Sequence, residues 1–202
     1  MKQTKQLQYW QGEFGKAYIN RNSDLAFFNK RTAFFTRLLQ RHTDIASILE
    51  VGCSIGGNLH VLQKINPNLT LAGIEPNKTA ATAAYKLIPN AEIINTSIFD
   101  CKIKNKYDLV FTSGVLIHIA NIDLKQALRK MHTASRNYLL SIEYYSETHQ
   151  IIPYRDLTDA LFKRPYDREW QTVDPHLQLI DSGFVDKTQG FDNCNWWLYK
   201  KI

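Results

Sequence analysis

Cysteine is scarce in this 202-residue chain, and the three present, Cys53, Cys101 and Cys194, are odd in number and widely spaced. That argues against a disulfide framework and for a reducing compartment, so a cytoplasmic location is expected. No C-x-x-C pair occurs and the six histidines are scattered, so no metal site is expected. No run of ~18 apolar residues is present, which speaks against a membrane span. The opening Met1-Lys2-Gln3-Thr4-Lys5-Gln6 has no apolar stretch behind it and does not read as a signal peptide. Repeats, low-complexity tracts and Gly/Ser linkers are missing too, and the length fits one domain with a sizeable core. A net charge of +6 would suit nucleic acid or an acidic small substrate, but the basic residues are spread rather than clustered. A solvated basic surface accounts for the charge equally well.

What the chain does have is alternation. Short β-type runs at residues 46–51, 70–74, 92–95, 108–112 and 138–143 are interleaved with helical stretches at 57–65, 77–86 and 123–134. The last of these opens with Asn121 as cap and carries Leu124, Ala127, Leu128 and Met131 on one face. Such alternation implies βαβ units and a parallel sheet. Residues 177–187 and 195–200 read as two strands without a helix between them, a hairpin closing the sheet. The expected architecture is therefore an α/β, Rossmann-like sheet of seven mostly parallel strands, helices on both faces and a C-terminal antiparallel hairpin. Residues 46–202 form its body. Residues 1–45 belong to the same domain: an amphipathic helix over 24–41, preceded by the aromatic segment Tyr9-Trp10-Gln11-Gly12-Glu13-Phe14-Gly15. That segment fits neither period and reads as a loop or lid over a site, or as an arm packed on the domain.

The first strand runs into Glu50-Val51-Gly52-Cys53-Ser54-Ile55-Gly56-Gly57-Asn58. A strand followed by a small-residue loop and a helix marks the ligand edge of an open α/β sheet, with helix N–H groups facing the ligand. The pattern is not G-x-G-x-x-G, and an acid stands two residues before the first glycine. A carboxylate repels a pyrophosphate but suits a cationic nucleoside; a hydrogen bond to a charged group is worth ~1.5–3 kcal/mol. A rival exists, because Gly52-Cys53-Ser54-Ile55-Gly56 matches the G-x-S-x-G elbow of serine hydrolases. Against it, no His-Gly-Gly segment lies upstream, and Asp156 and His176 are partners that almost any chain offers.

A second acid, Glu75, stands at the tip of the second strand, where a two-acceptor carboxylate receives a ribose diol; Pro76 follows it. After the third strand, Ser97 and the Ile98 amide are placed to meet a base edge. After the fourth, Ser113 and Gly114 are placed to line the remainder of the ligand. Each of these also reads as an ordinary polar turn.

These four segments, in this order, resemble the class I S-adenosylmethionine (SAM)-dependent methyltransferases over about residues 46–145. The flanks are similar to the methylases associated with pseudaminic acid biosynthesis: Tyr9 to Gly15 with Tyr18 and Asn20-Arg21-Asn22, then Gly114-Val115-Leu116-Ile117-His118-Ile119 and Ile142-Glu143-Tyr144-Tyr145. Ile152-Pro153-Tyr154-Arg155, Leu161-Phe162-Lys163-Arg164 and Trp196-Trp197 continue the likeness. Ser113 departs from it, standing where that family carries a basic residue. So does the loop, which reads Cys-Ser-Ile-Gly-Gly.

The resemblance implies SAM as cofactor, held by Glu50, Gly52, Cys53, Ser54, Gly56, Asn58, Glu75, Pro76, Ser97, Ile98, Ser113 and Gly114. It also implies a small acidic acceptor of nonulosonic-sugar type, free or nucleotide-activated, methylated on O or N. Methyl transfer needs alignment, exclusion of water and removal of a proton, but no enzyme nucleophile. His118, just past the fourth strand, is the expected base, or else a core histidine shaping the loop. Glu143, at the end of the fifth strand, is the reserve base. Trp10, Phe14, Tyr18, Tyr144, Tyr145 and Tyr154 would wall the acceptor, and Arg155, with Lys163 and Arg164, would receive its anionic group. An RNA or peptide acceptor and a non-catalytic SAM-binding module are the alternatives. Nucleic acid is disfavoured, because Thr112-Ser113-Gly114-Val115 stands where amine-directed enzymes carry Asp/Asn-Pro-Pro-Tyr.

Overall fold

The computed structural model describes residues 2–202. Four helices precede the sheet: α1 (Lys5–Gln11), α2 (Glu13–Arg21), α3 (Leu25–Asn29) and α4 (Thr32–Arg41). The segment expected to be irregular is thus helical. Thr4 caps α1 by accepting the Leu7 N–H, and Gly12 ends one helix and begins the next. The single helix expected over 24–41 is broken at Lys30 and Arg31. There the Arg31 side chain turns inward, its Nε donating to the Gly190 carbonyl at 2.6 Å.

The body follows as β1 (Ser47–Val51), α5 (Gly57–Ile65), β2 (Thr70–Ile74), α6 (Lys78–Leu87), β3 (Glu92–Ile94), β4 (Tyr107–Ser113), α7 (Asn121–Ala134) and β5 (Ser135–Glu143). Next come a small hairpin, β6 (Gln150–Tyr154) and β7 (Leu157–Lys163), a short α8 (Tyr166–Gln171), and β8 (Gln178–Val185) and β9 (Cys194–Lys200). Seven strands form one sheet in the order β3-β2-β1-β4-β5-β9-β8. β1 to β5 pair in parallel; β9 joins β5 antiparallel and β8 joins β9 antiparallel. The expected class and C-terminal hairpin are both present. The β6–β7 hairpin and α8 escaped the sequence reading. Asn121 is the first residue of α7 rather than its cap, which is Ala120, with no side-chain cap bond.

Alternation along the strands divides the apolar residues between two cores. Ile48, Trp196 and Leu198 face Phe34, Phe35 and Leu59 on one side; Leu49, Val51, Trp197 and Tyr199 face Leu124, Leu128 and Trp170 on the other. The three cysteines are buried and free. No described helix is long and apolar enough to cross a membrane, and no described cluster of three His, Cys, Asp or Glu side chains could hold a metal ion.

Strand order reverses between β1 and β4, and ligands of open α/β sheets bind outside the carboxyl ends of strands at such a point. The register sets Val51 beside Ile74 and Glu50 beside Phe111, which brings the loops after β1, β2 and β4 to one edge.

Candidate functional site

The loop after β1 is folded back over the tip of β2: the N–H groups of Gly52 and Cys53 both donate to the Ile74 carbonyl, at 2.7 and 3.1 Å. Gly52 has φ +74°, and a Cβ there would lie 2.6 Å from a Val115 methyl, so both conformation and space require glycine. Glu75 is then fixed by two backbone donors, Ser54 N–H to Oε2 at 2.9 Å and Asn77 N–H to Oε1 at 2.7 Å. Each oxygen keeps a lone pair, and the side chain lines a cavity. Burial pushes its carboxyl up to about 7 against those two bonds.

Glu50 faces the same cavity and is nearly sealed from solvent, 2% exposed. Its Oε1 accepts from Asn58 Nδ2 at 2.6 Å, while Oε2 has no partner in the protein. Asn58 in turn accepts from Arg31 Nη1 at 2.5 Å. The Arg31 guanidinium is held between the rings of Phe28 and Phe191, 4.5 and 4.4 Å from their centroids. Burial raises the Glu50 carboxyl to about 8 and lowers Arg31 to about 10, the neighbouring charge opposing both shifts. A buried acceptor left unpaired costs ~1–3 kcal/mol, and a ligand ammonium would remove that cost.

His118 lines the same cavity, at the end of the 3-10 turn Leu116–His118. Its Nδ1 is 2.6 Å from the Ala160 carbonyl. A carbonyl only accepts, so Nδ1 carries the proton and Nε2 keeps its lone pair. Burial depresses the imidazole to about 4, which leaves it neutral at physiological pH. Trp10 and Tyr154 flank the ring at centroid distances of 4.5 and 5.5 Å.

The turn that carries His118 is held by Glu143. Its Oε1 accepts the N–H of Val115 and Leu116 at 3.2 and 3.1 Å, and Oε2 that of Ile117 at 3.3 Å. The expectation of a reserve base at Glu143 is corrected here. The carboxylate is fully buried, outside the cavity lining, and committed to three backbone donors.

Gly52, Cys53, Ser54, Asn58, Pro76, Ser97, Ile98, Ser113 and Gly114 line the cavity with Glu50 and Glu75, as do Trp10, Tyr18, Tyr144 and Tyr154. Gly56 stands behind the loop, capping α5 with φ +82°. Phe14 packs on Trp10 and Tyr154, at 5.2 and 5.8 Å, without joining the lining. Tyr145 points away and packs on Trp197. Arg155 sits with Asp156 at the tip of the β6–β7 hairpin, both at positive φ as a two-residue type I′ turn demands, outside the cavity. Lys163 is also outside it, over the Tyr144 ring at 5.8 Å. Arg164 is entirely buried and donates to the Ile119 carbonyl at 2.8 Å, so it fastens the hairpin to the His118 turn. The anion-receiving role expected of these three residues is therefore corrected. The hydrolase pattern also finds no partners: Asp156 is at that hairpin tip, His176 is exposed, and neither reaches the lining beside Ser54.

Arg31, Asn77, Phe191 and Asp192 line the cavity without having been anticipated. Asp192 accepts from Tyr144 Oη at 2.9 Å at the exposed rim. α1 and α2 cover the site from the N-terminal side. Tyr9 Oη donates to Asp159 at 3.2 Å, Gln6 Nε2 to the Asp159 carbonyl at 3.0 Å, and Asn77 Nδ2 to the Trp10 carbonyl at 2.8 Å.

With this geometry in view, comparison with known proteins gives the fold. Residues 49–137 match a family model described as a methyltransferase domain. No curated protein matches the chain in sequence. Among solved structures, the plantazolicin methyltransferase BpumL in complex with SAH superposes with a TM-score of 0.71 at 17% identity, covering 98% of this chain and 94% of that one. Magnesium protoporphyrin IX methyltransferase from Synechocystis PCC 6803 with bound SAM gives 0.72 at 10% identity, each chain covered 100%. A sugar N-methyltransferase from Streptoalloteichus gives 0.65 at 15% identity, covering 95% and 93%. The fold is that of the class I SAM-dependent methyltransferases.

Proposed function

We propose that the chain transfers a methyl group from SAM to a small-molecule acceptor, with neutral His118 taking the acceptor's proton. The observation that carries this reading is the buried, unpartnered Oε2 of Glu50 in a cavity that also holds the twin-acceptor carboxylate of Glu75. Glu50 would receive the ammonium of the cofactor, Arg31 lies near enough to Glu50 to receive its carboxylate, and Glu75 would take the ribose hydroxyls. Ser97 and Ile98 would meet the adenine, and Ser113 and Gly114 the chain leading to sulfur. When bound, SAM supplies an electrophilic methyl carbon.

The protein's part is to align, dry and deprotonate. The α1–α2 cover excludes water and acts as a lid, and Nε2 of His118 offers a lone pair. The alternatives are less well supported. A peptide or RNA strand would have to displace α1 and α2, which are bonded to Asp159 and Asn77. The acidic sugar implied by the resemblance would need a receiving cation at the acceptor end. Among the described lining residues Arg31 is the one arginine or lysine, and it lies beside Glu50. A module that binds SAM without turnover would have no use for an imidazole held as a single tautomer.

Calorimetry with SAM and with its demethylated product SAH tests the donor. Binding that Glu75→Ala weakens by about tenfold, the loss of one charge-assisted bond, is expected. Absence of heat with both ligands would refute the reading.

A further inference from the structure

The charges and ring systems around His118 narrow the acceptor class. This inference rests on the proposed donor site and concerns the part of the same cavity around His118. The lining carries three acids, Glu50, Glu75 and Asp192, and its one arginine, Arg31, bonded to Asn58 and to the Gly190 carbonyl, is the group assigned to the carboxylate of the cofactor. An anionic acceptor would be brought in among carboxylates with no cation left to meet it, and an unpaired buried charge is strongly disfavoured. The space beside His118 is aromatic instead. Trp10 and Tyr154 stand against the imidazole, and Tyr18 packs edge-on to Trp10 at 5.2 Å. Leu7, Ile119 and Leu161 line the cavity among these rings. Such walls accept a flat ring by stacking and edge contacts. At the rim, Asp192 is exposed beside Tyr144 and suits an amine or N–H donor.

We propose that the acceptor is a flat aromatic alcohol without negative charge, carrying no group at the rim or an amino group there. Its hydroxyl would lie at Nε2 of His118. In the step, an oxygen lone pair forms the O–CH3 bond as the S–CH3 bond breaks, its electron pair remaining on sulfur. The hydroxyl proton, made strongly acidic as the new bond forms, passes to Nε2 and then to water. A weakly basic imidazole suffices for a proton released at that stage.

The probes are 2-naphthol, 6-amino-2-naphthol, 6-hydroxy-2-naphthoate and N-acetylneuraminate, titrated into the full chain saturated with SAH while Trp fluorescence is followed. The first two should bind at least about tenfold more tightly than the carboxylate-bearing ring, a difference of ~1.4 kcal/mol, and N-acetylneuraminate should not compete. With SAM in place of SAH, one methylene mass should appear on the naphthols. Trp10→Leu should weaken naphthol binding while SAH affinity holds, and Trp10→Phe should restore it. Tighter binding of 6-hydroxy-2-naphthoate or N-acetylneuraminate, or SAH binding with no naphthol bound, overturns the proposal and leaves the donor reading standing. Failure of SAH itself to bind removes both.

Discussion

Asn58 donates to one oxygen of Glu50 across 2.6 Å and leaves the other oxygen facing the cavity without a partner. The amide thereby turns the carboxylate in a fixed direction, and Arg31, bonded to the far side of the amide, keeps it from flipping. The arrangement has a cost when the site is empty, because a buried carboxyl with one bond holds its proton up to about pH 8.

A first prediction concerns that proton. At pH 7 the empty protein carries Glu50 protonated, and the ammonium of an incoming cofactor favours the ionised form. Binding should therefore release up to about one proton, seen as a dependence of the calorimetric heat on buffer ionisation enthalpy. The release should fade above pH 8 and fall in Glu50→Gln. The same shift makes the empty protein less stable as pH rises from about 4.5 through about 8, since the folded state holds this proton more tightly than the unfolded chain.

The proposed base gives a second. Burial holds the His118 imidazole near 4, so kcat should show no inflection near 6.5, where a free histidine titrates, and stay level from about pH 5 upward. His118→Ala should lower kcat by about 100-fold or more while SAH affinity is retained. An unchanged kcat in this variant would remove His118 from the chemistry.

Glu143 should behave as a positioning residue. Glu143→Ala leaves three backbone N–H groups unpaired, two of them buried, and should cost about 3 kcal/mol in urea denaturation. The surviving folded protein should show lowered kcat with the flat pH profile intact. A base at Glu143 would instead abolish turnover in the folded protein.

Gly15→Ala tests the cover. The added methyl would fall 1.9 Å from the Trp10 carbonyl, so α2 must part from α1. We expect faster proteolysis within residues 5–21 and weakened SAH binding, whereas Lys16→Ala, at an exposed neighbour, should change neither.

Much of this was legible in the chain itself. β1, β2, α5 and the final hairpin follow from period and punctuation, and Glu50, Glu75 and His118 stand at strand ends where topology must bring them together. What escaped depended on contacts distant in sequence. Arg31 sits in a stretch that reads as one amphipathic helix, with neither Gly nor Pro to mark the break; only Gly190 and Asn58, far along the chain, draw it inward. Glu143 looked free because a strand-end acid ordinarily is, and its three partners are backbone groups that no sequence displays. Arg155 stands at the tip and Arg164 at the foot of a hairpin whose turn, Arg155-Asp156, lacks the Asn-Gly or Asp-Gly that would have announced it.

Asn77 joins three parts of the site. Its Oδ1 caps α6 through Thr79 and Ala80, its N–H holds Glu75, and its Nδ2 grips the carbonyl of Trp10. One residue, through its backbone and its side chain, thus makes Glu75, the acid proposed to take the ribose, and the aromatic cover members of a single equilibrium. Linkage then runs both ways: whatever free energy the nucleoside gives to seating α1 and α2, a seated cover returns as affinity for the nucleoside.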